Sequence, residues 1–202
     1  MNKKFIKTLI SLICLMFAQN VYAEVEESVI VVTNVPYEAS LTKKSSTNSA
    51  TVDPATGVHS GLSTVFTLQT NGGDDHFDYI IKSYIDIDGD RVSAYGDDGR
   101  LLFAHETVPP TLAAVNNAKS GISPSKNVFA YPTQVNTTGG IRSEFKTNYK
   151  EYGNCYAIFI GKARSTDVTH TVQGTPKANT YQSGLDQSGT YKSTIEFTIV
   201  SK

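Results

Sequence analysis

A two-residue alternation of apolar and polar side chains recurs along this chain, and no long helical period competes with it. Phe77, Tyr79, Ile81, Ser83, Ile85 and Ile87 fall on one face of an extended segment, with Ile80, Lys82, Tyr84 and Asp86 on the other. Tyr191, Ser193, Ile195, Phe197 and Ile199 repeat the pattern near the end, opposite Lys192, Thr194, Glu196 and Thr198. A helix would scatter either set round its circumference, whereas a strand puts each on one side of a sheet. The same reasoning predicts strands over residues 64–68, 92–95, 100–104, 128–130, 141–146, 156–163 and 166–173. Gly96-Asp97-Asp98-Gly99 predicts a hairpin turn. One short helix is expected after Pro109-Pro110, with Thr111 as N-cap and its end at Gly121. Residues 174–189, and residues 122–140 apart from their one strand, are rich in Pro, Ser, Asn, Thr and Gly and are expected to be loop. Short strands separated by turn chemistry imply an all-β chain folded as a β-sandwich.

Residues 1–23 have the form of an export signal: Lys3 and Lys4, an apolar stretch over residues 5–18, then Asn20-Val21-Tyr22-Ala23. That stretch is too short and wrongly flanked to span a membrane. Ser11-Leu12-Ile13 before Cys14 is not the sequence that precedes a lipid-bearing cysteine. Cleavage removes 23 of the 202 residues and leaves 179, a comfortable size for one domain, residues 37–202, behind an N-terminal segment, residues 24–36. It also removes three of the 18 basic residues and none of the 19 acidic ones, leaving 15 against 19. With no cationic run to neutralise phosphates, nucleic acid is not expected as a partner. Cys155 is then the one thiol, so no internal disulfide is expected. A half-buried strand residue, an intermolecular bridge and a catalytic thiol are the three readings of it. No His-rich pocket signature accompanies the last.

Several short clusters admit a functional and a plain reading. Asp86-Ile87-Asp88-Gly89-Asp90 suits either a calcium loop or an acidic hairpin turn, and the later ligands of a full calcium loop are missing. Asp74-Asp75-His76 with Asp78 suits either a transition metal or a solvated loop. His59, His76, His105 and His170 lack zinc-site spacing, so no metal site and no cofactor are expected. No nucleophile elbow and no His-Glu-x-x-His helix is present, and no enzymatic activity is expected. Tyr149, Tyr152 and Tyr156 read either as packing residues or as candidate glycan contacts, because tyrosine rings stack on sugars while their hydroxyls bond them.

The segment after the signal, from Glu24 to Val35, is a bare valine-rich strand with no domain before it, which suits donation to another subunit. It is similar to the opening of class 5 (alpha-type) fimbrial major subunits, the colonization-factor pilins of enterobacteria. Val25, Val29, Val31, Thr33 and Val35 match the family's alternating positions, and Pro36-Tyr37 stands where the family has Asp-Pro. Residues 65–71 resemble a second strand and turn. Ser188-Gly189-Thr190-Tyr191 resembles the terminal Gly-x-Tyr strand of chaperone–usher pilins. The resemblance covers about a fifth of the chain. It implies an incomplete immunoglobulin-like sandwich that lacks one strand. A periplasmic chaperone would hold it at Tyr191, Ile195, Phe197 and Ile199. The donor strand of another copy would replace the chaperone at an outer-membrane usher, giving a cell-surface fimbria that meets a host glycan or protein receptor. The alternative is a monomeric secreted carbohydrate-binding sandwich whose N-terminal strand pairs within its own sheet.

Overall fold

A computed structural model describes residues 32–47, 61–73, 75–122, 125–139, 141–161, 164–173, 182 and 184–202. The chain divides into two units, residues 1–36 and 37–202. In the first, the described residues 32–36 have no regular structure, and Val32 and Val35 are exposed. Val25, Val29 and Val31 lie outside the described residues, as do residues 1–23, the expected export signal.

The described part of the second unit is a β-sandwich-like all-β fold with one short helix. Its strands are β1 (Ala39–Thr47), β2 (Leu62–Thr70), β3 (Phe77–Ile87), β4 (Asp90–Ser93), β5 (Leu101–His105), β6 (Val128–Tyr131), β7 (Thr133–Thr137), β8 (Arg142–Lys146), β9 (Cys155–Phe159), β10 (Arg164–Val172), β11 (Tyr191–Lys192) and β12 (Thr194–Ser201). The helix is α1 (Leu112–Lys119). One sheet runs β1-β2-β10-β7, a second runs β12-β3-β9-β8 with β4 also on β3, and a small third runs β11-β5-β6; their pairings are antiparallel.

The alternation at residues 77–87 becomes the middle of the second sheet. Tyr79, Ile81, Ile85 and Ile87 enter the main core with Phe66, Leu68, Leu101, Leu102 and Val168. The Phe66 and Phe197 rings, 5.6 Å apart, join β2 to β12 across the sandwich, and Tyr79 Oη donates to Thr70 Oγ1 at 3.2 Å. On the other face of β3, Ile80 is fully buried and pairs with Ala157. The loop between β8 and β9 covers this end of the strand, with Tyr152 bonded to Asp78 and packed beside Lys82.

Local chemistry places the turns. Asp88 and Gly89 both have positive φ, 52° and 92°, as a two-residue type I′ hairpin turn requires, so Asp88 is used to join β3 to β4. Thr111 Oγ1 accepts the Ala114 N–H at 3.2 Å and caps α1, whose buried Val115 and Ala118 anchor it. Gly121 follows the helix with φ 73°.

Three elements differ from the sequence expectations. β1 and β7 are strands although neither carries a run of apolar alternation; pairing with β2 and β10 satisfies their backbones. The terminal strand is two strands, because Ser193 leaves the ladder. Its hydroxyl lies 2.9 Å from that of Ser83, and Ser83 Oγ also bonds the Thr194 carbonyl at 3.1 Å. Tyr191 therefore belongs to the third sheet and Ile195, Phe197 and Ile199 to the second.

His170, in the middle of β10, is fully buried with Nε2 2.9 Å from the Tyr95 hydroxyl. Burial pushes its pKa down to about 4, so the folded protein holds it neutral. An unfolded chain takes up the proton near pH ~6.5, so stability present above that pH is lost as pH falls toward 4. We expect urea-unfolding stability to drop by about 2 kcal/mol between pH 7.5 and 4.5 from this group, and His170→Gln to remove most of that slope. An unchanged slope in His170→Gln would show that other groups govern acid sensitivity.

Candidate subunit-docking edge

A sheet edge presents a row of backbone donors and acceptors, and natural proteins blunt such edges with charge, bulges or a cover. In β1 the edge carries exposed Lys43 and Lys44, with a register shift between Lys43 and Ser45. The edge strand β8 carries Arg142, Glu144 and Lys146, with both cations paired to Glu144. At β7 the edge is stitched to the next strand by Ser143 Oγ on the Val135 carbonyl and Thr137 Oγ1 on the Ile141 carbonyl. Helix α1 packs beside β6.

β12 shows no bulge in its pairing with β3, and its one charge, Glu196, is paired with Arg91. It pairs with β3 on one side, and among the described residues no strand pairs its other side. Its eight residues, Thr-Ile-Glu-Phe-Thr-Ile-Val-Ser, are mostly β-branched or aromatic and include one charge. Phe197 is buried, while Ile195 and Ile199 pack on the core yet stay partly exposed. The candidate chaperone- and subunit-binding residues therefore separate. Ile195, Phe197 and Ile199 share the inward face of an open edge, whereas Tyr191 packs 4.3 Å from the Phe129 ring and 4.9 Å from His105 in the third sheet.

Gly189 explains the Gly-x-Tyr pattern physically. Its φ is 152°, and a Cβ there would lie 2.5 Å from His105 Nε2. His105 is buried, with Nδ1 accepting the N–H groups of Thr107 and Val108 at 3.2 and 3.1 Å. Its Nε2–H is thus left to donate to the Ser188 carbonyl at 3.2 Å. This joint lies just ahead of β11 and sets where that strand begins.

At the opposite end of β12, Lys202 N donates to the His76 carbonyl at 2.9 Å. The Tyr37 ring lies 3.5 Å from that of His76, centroid to centroid, and His76 Nδ1 lies 2.7 Å from Asp75 Oδ1. Glu38 N bonds Asn71 Oδ1 at 2.6 Å, and Thr70 Oγ1 bonds the Glu38 carbonyl at 2.9 Å. The first residues of the second unit and the end of β12 thus meet at the same turn. Thr33 and Val35, the two described members of the candidate donor face, are exposed and without regular structure.

The three candidate glycan-contact tyrosines do not form one surface. Tyr156 is buried between the main sheets, its hydroxyl donating to the Thr133 carbonyl at 2.8 Å. Tyr149 and Tyr152 lie half-buried in the β8–β9 loop with ring centroids 5.9 Å apart. Asp78 anchors that loop, accepting from Tyr152 Oη and Lys150 Nζ at 3.1 Å each, and lies 3.0 Å from Lys202 Nζ. Burial works to raise the Asp78 pKa, but the hydrogen bonds from Lys202, Lys150 and Tyr152 outweigh it and hold the carboxylate below its ordinary range. Sequence reasoning missed this anchor because Asp78 was grouped with its neighbours Asp75 and His76. Among the described residues no three metal-ligating groups converge.

Cys155 is fully buried, and burial pushes its pKa up to about 11. It bridges nothing in this structure. No protein-family model matches the chain, and no curated protein matches it significantly.

Alkylation tests the Cys155 environment. With so little thiolate present, iodoacetamide at pH 8 should label the native protein at least ~100-fold more slowly than the urea-unfolded chain. Comparable rates would place Cys155 at an accessible position and reopen both the bridging and the catalytic readings.

Proposed function

We propose that this protein is a structural shaft subunit of a surface fimbria, contributing to adhesion and built by donor-strand exchange between copies. The single observation that carries the reading is the long edge of β12 that no described strand pairs, set against the lysines, bulge and stitching on other edges. An exposed row of backbone groups beside half-covered Ile195 and Ile199 is an aggregation hazard until another strand pairs with it. The resemblance of Val25–Val35 to a pilin donor strand supplies that strand, and the sandwich is then an incomplete immunoglobulin-like domain. A periplasmic chaperone holds the edge first and exchange at an outer-membrane usher follows. The export signal supports that route.

The shared turn at Tyr37 and Lys202 adds a topological argument. β12 runs toward this turn, and the N-terminal segment runs toward it too. Lying along its own β12, that segment would be parallel to it. A neighbour's segment running antiparallel makes the better-aligned ladder and places each subunit's Tyr37 end at the Thr194 end of the next. That contact is heterologous and propagates as a fibre, whereas a parallel donor would bring two Tyr37 ends together and close a pair.

Deleting Val25–Val35 should leave a subunit that still binds its chaperone but forms no polymer ladder on mildly heated, non-reducing gels. Val31→Asp should block the ladder far more than Val32→Asp, since a carboxylate pressed into an apolar groove costs on the order of several kcal/mol. Equal defects would place the wrong face against β12. Wild-type protein made without a chaperone should aggregate or be degraded. A soluble monomer with a cooperative melt and residues 24–35 intact would favour instead a self-contained carbohydrate-binding sandwich, with half-exposed Tyr149 and Tyr152 as its sugar platform.

A further inference from the structure

The bonding of β12 to β3 decides which of its backbone groups face the open edge. Lys202 N donates to the His76 carbonyl at 2.9 Å, and these two residues are direct partners, one step beyond Ser201 and Phe77. Bonded partners recur at every second residue of an antiparallel ladder. Lys202, Val200, Thr198, Glu196 and Thr194 therefore turn their N–H and C=O groups toward β3. β3 agrees from its other side. Ala94 N donates to the Ser83 carbonyl at 2.8 Å, so the odd-numbered residues of β3 bond toward β4 and the even-numbered ones are left for β12. The backbone groups at the open edge are then those of Ile195, Phe197, Ile199 and Ser201, and the first three carry the side chains that pack on the core. Directly opposed residues of an antiparallel pair share a face. A donor must therefore set its apolar face opposite these four residues. In the N-terminal segment that face runs unbroken only through Val29, Val31, Thr33 and Val35, because Glu27 interrupts it before Val25.

We infer that the N-terminal segment of a second copy seats on β12 in one antiparallel register, with its Val29, Val31, Thr33 and Val35 opposite Ser201, Ile199, Phe197 and Ile195. The inference rests on the donor-strand reading and deepens it. A slip of one residue would turn the whole apolar face outward. A slip of two residues one way sets Glu27 opposite Ser201, Val32 opposite Glu196 and Val35 opposite Ser193, which has left the ladder. A slip of two the other way sets Tyr37 opposite Ile195, although Tyr37 already packs on His76 of its own domain. In the chosen register the outward residues also match: Ile30 falls opposite Val200, Val32 opposite Thr198 and Asn34 opposite Glu196. Pro36 falls opposite Thr194, where the donor nitrogen points away from β12, so its missing N–H removes no ladder bond. A parallel donor with the same face inward would bond through its even-numbered residues, and Pro36 would leave a gap. Glu24, Glu26 and Glu27 lie beyond Ser201, clear of the apolar groove.

Disulfide trapping on the outward face reads the register without disturbing the core, and Cys155 is buried. The opposed outward residues form non-hydrogen-bonded pairs with Cα atoms about 4.5 Å apart, within disulfide reach, whereas diagonal neighbours at about 7–8 Å are too far. Fibres of the full chain are sheared from producing cells, oxidised and run on non-reducing gels. Val32→Cys with Thr198→Cys, and Asn34→Cys with Glu196→Cys, should each give a covalent ladder that survives boiling. Val32→Cys with Glu196→Cys or with Val200→Cys, the two slipped registers, should run as monomer after boiling. Ile30→Cys with Val200→Cys replaces either designated pair if that variant does not assemble. Unboiled samples report strand exchange independently. An unboiled ladder that boils to monomer in the designated pairs, or a covalent ladder from a slipped pair, would overturn the register while leaving strand exchange standing. Covalent ladders from Val32→Cys with Thr198→Cys and from Asn34→Cys with Val200→Cys would overturn it in favour of a parallel donor. Absence of the unboiled ladder from the wild-type chain would overturn the fibre reading beneath it.

Discussion

Backbone hydrogen bonding at the edges of the sheets is the constraint around which this molecule is arranged. Sandwich strands form because their N–H and C=O groups find partners sideways, and the outermost strand of an open sheet runs out of neighbours. Here the response differs from edge to edge. Lysines and a bulge occupy β1, paired charges occupy β8, and side-chain bonds bind β7 to β8. β12 combines a long edge that no described strand pairs with a sequence of high strand propensity, and the donor-strand proposal rests on that combination.

The rest of the second unit holds that edge in place. β3 carries β12 on one side and β9 and β4 on the other, with one face in the core and the other buried at Asp78 and Ile80. Asp78 ties the β8–β9 loop and Lys202 to the start of β3, and Ser83 holds the start of β12 through Ser193 and the Thr194 carbonyl. Both ends of the acceptor edge are thus anchored by buried polar side chains. In the proposed donor-strand exchange, an edge anchored in this way would need less ordering on binding.

Much of the local structure could be read in advance because its causes lie within a few residues. The β3 alternation, the Asp88-Gly89 turn and the Thr111 cap are each decided by neighbouring side chains and backbone angles. β1 and β7 could not be read, since their extended form depends on β2 and β10 lying alongside. The tyrosine cluster shows the same limit at the candidate site. Three rings close in sequence look like one patch, but β9 sends Tyr156 into the core while the loop keeps Tyr149 and Tyr152 outside.

The sequence by itself determined the all-β character and the inward face of β12, because period-two patterning is written residue by residue. Only the tertiary structure decided that the terminal alternation breaks at Ser193, that Tyr37 and Lys202 meet at one turn, and that β12 lies at an edge rather than in the middle of its sheet. Strand order depends on which distant segments pair, and pairing energy is shared between two strands, so neither strand's sequence records it alone.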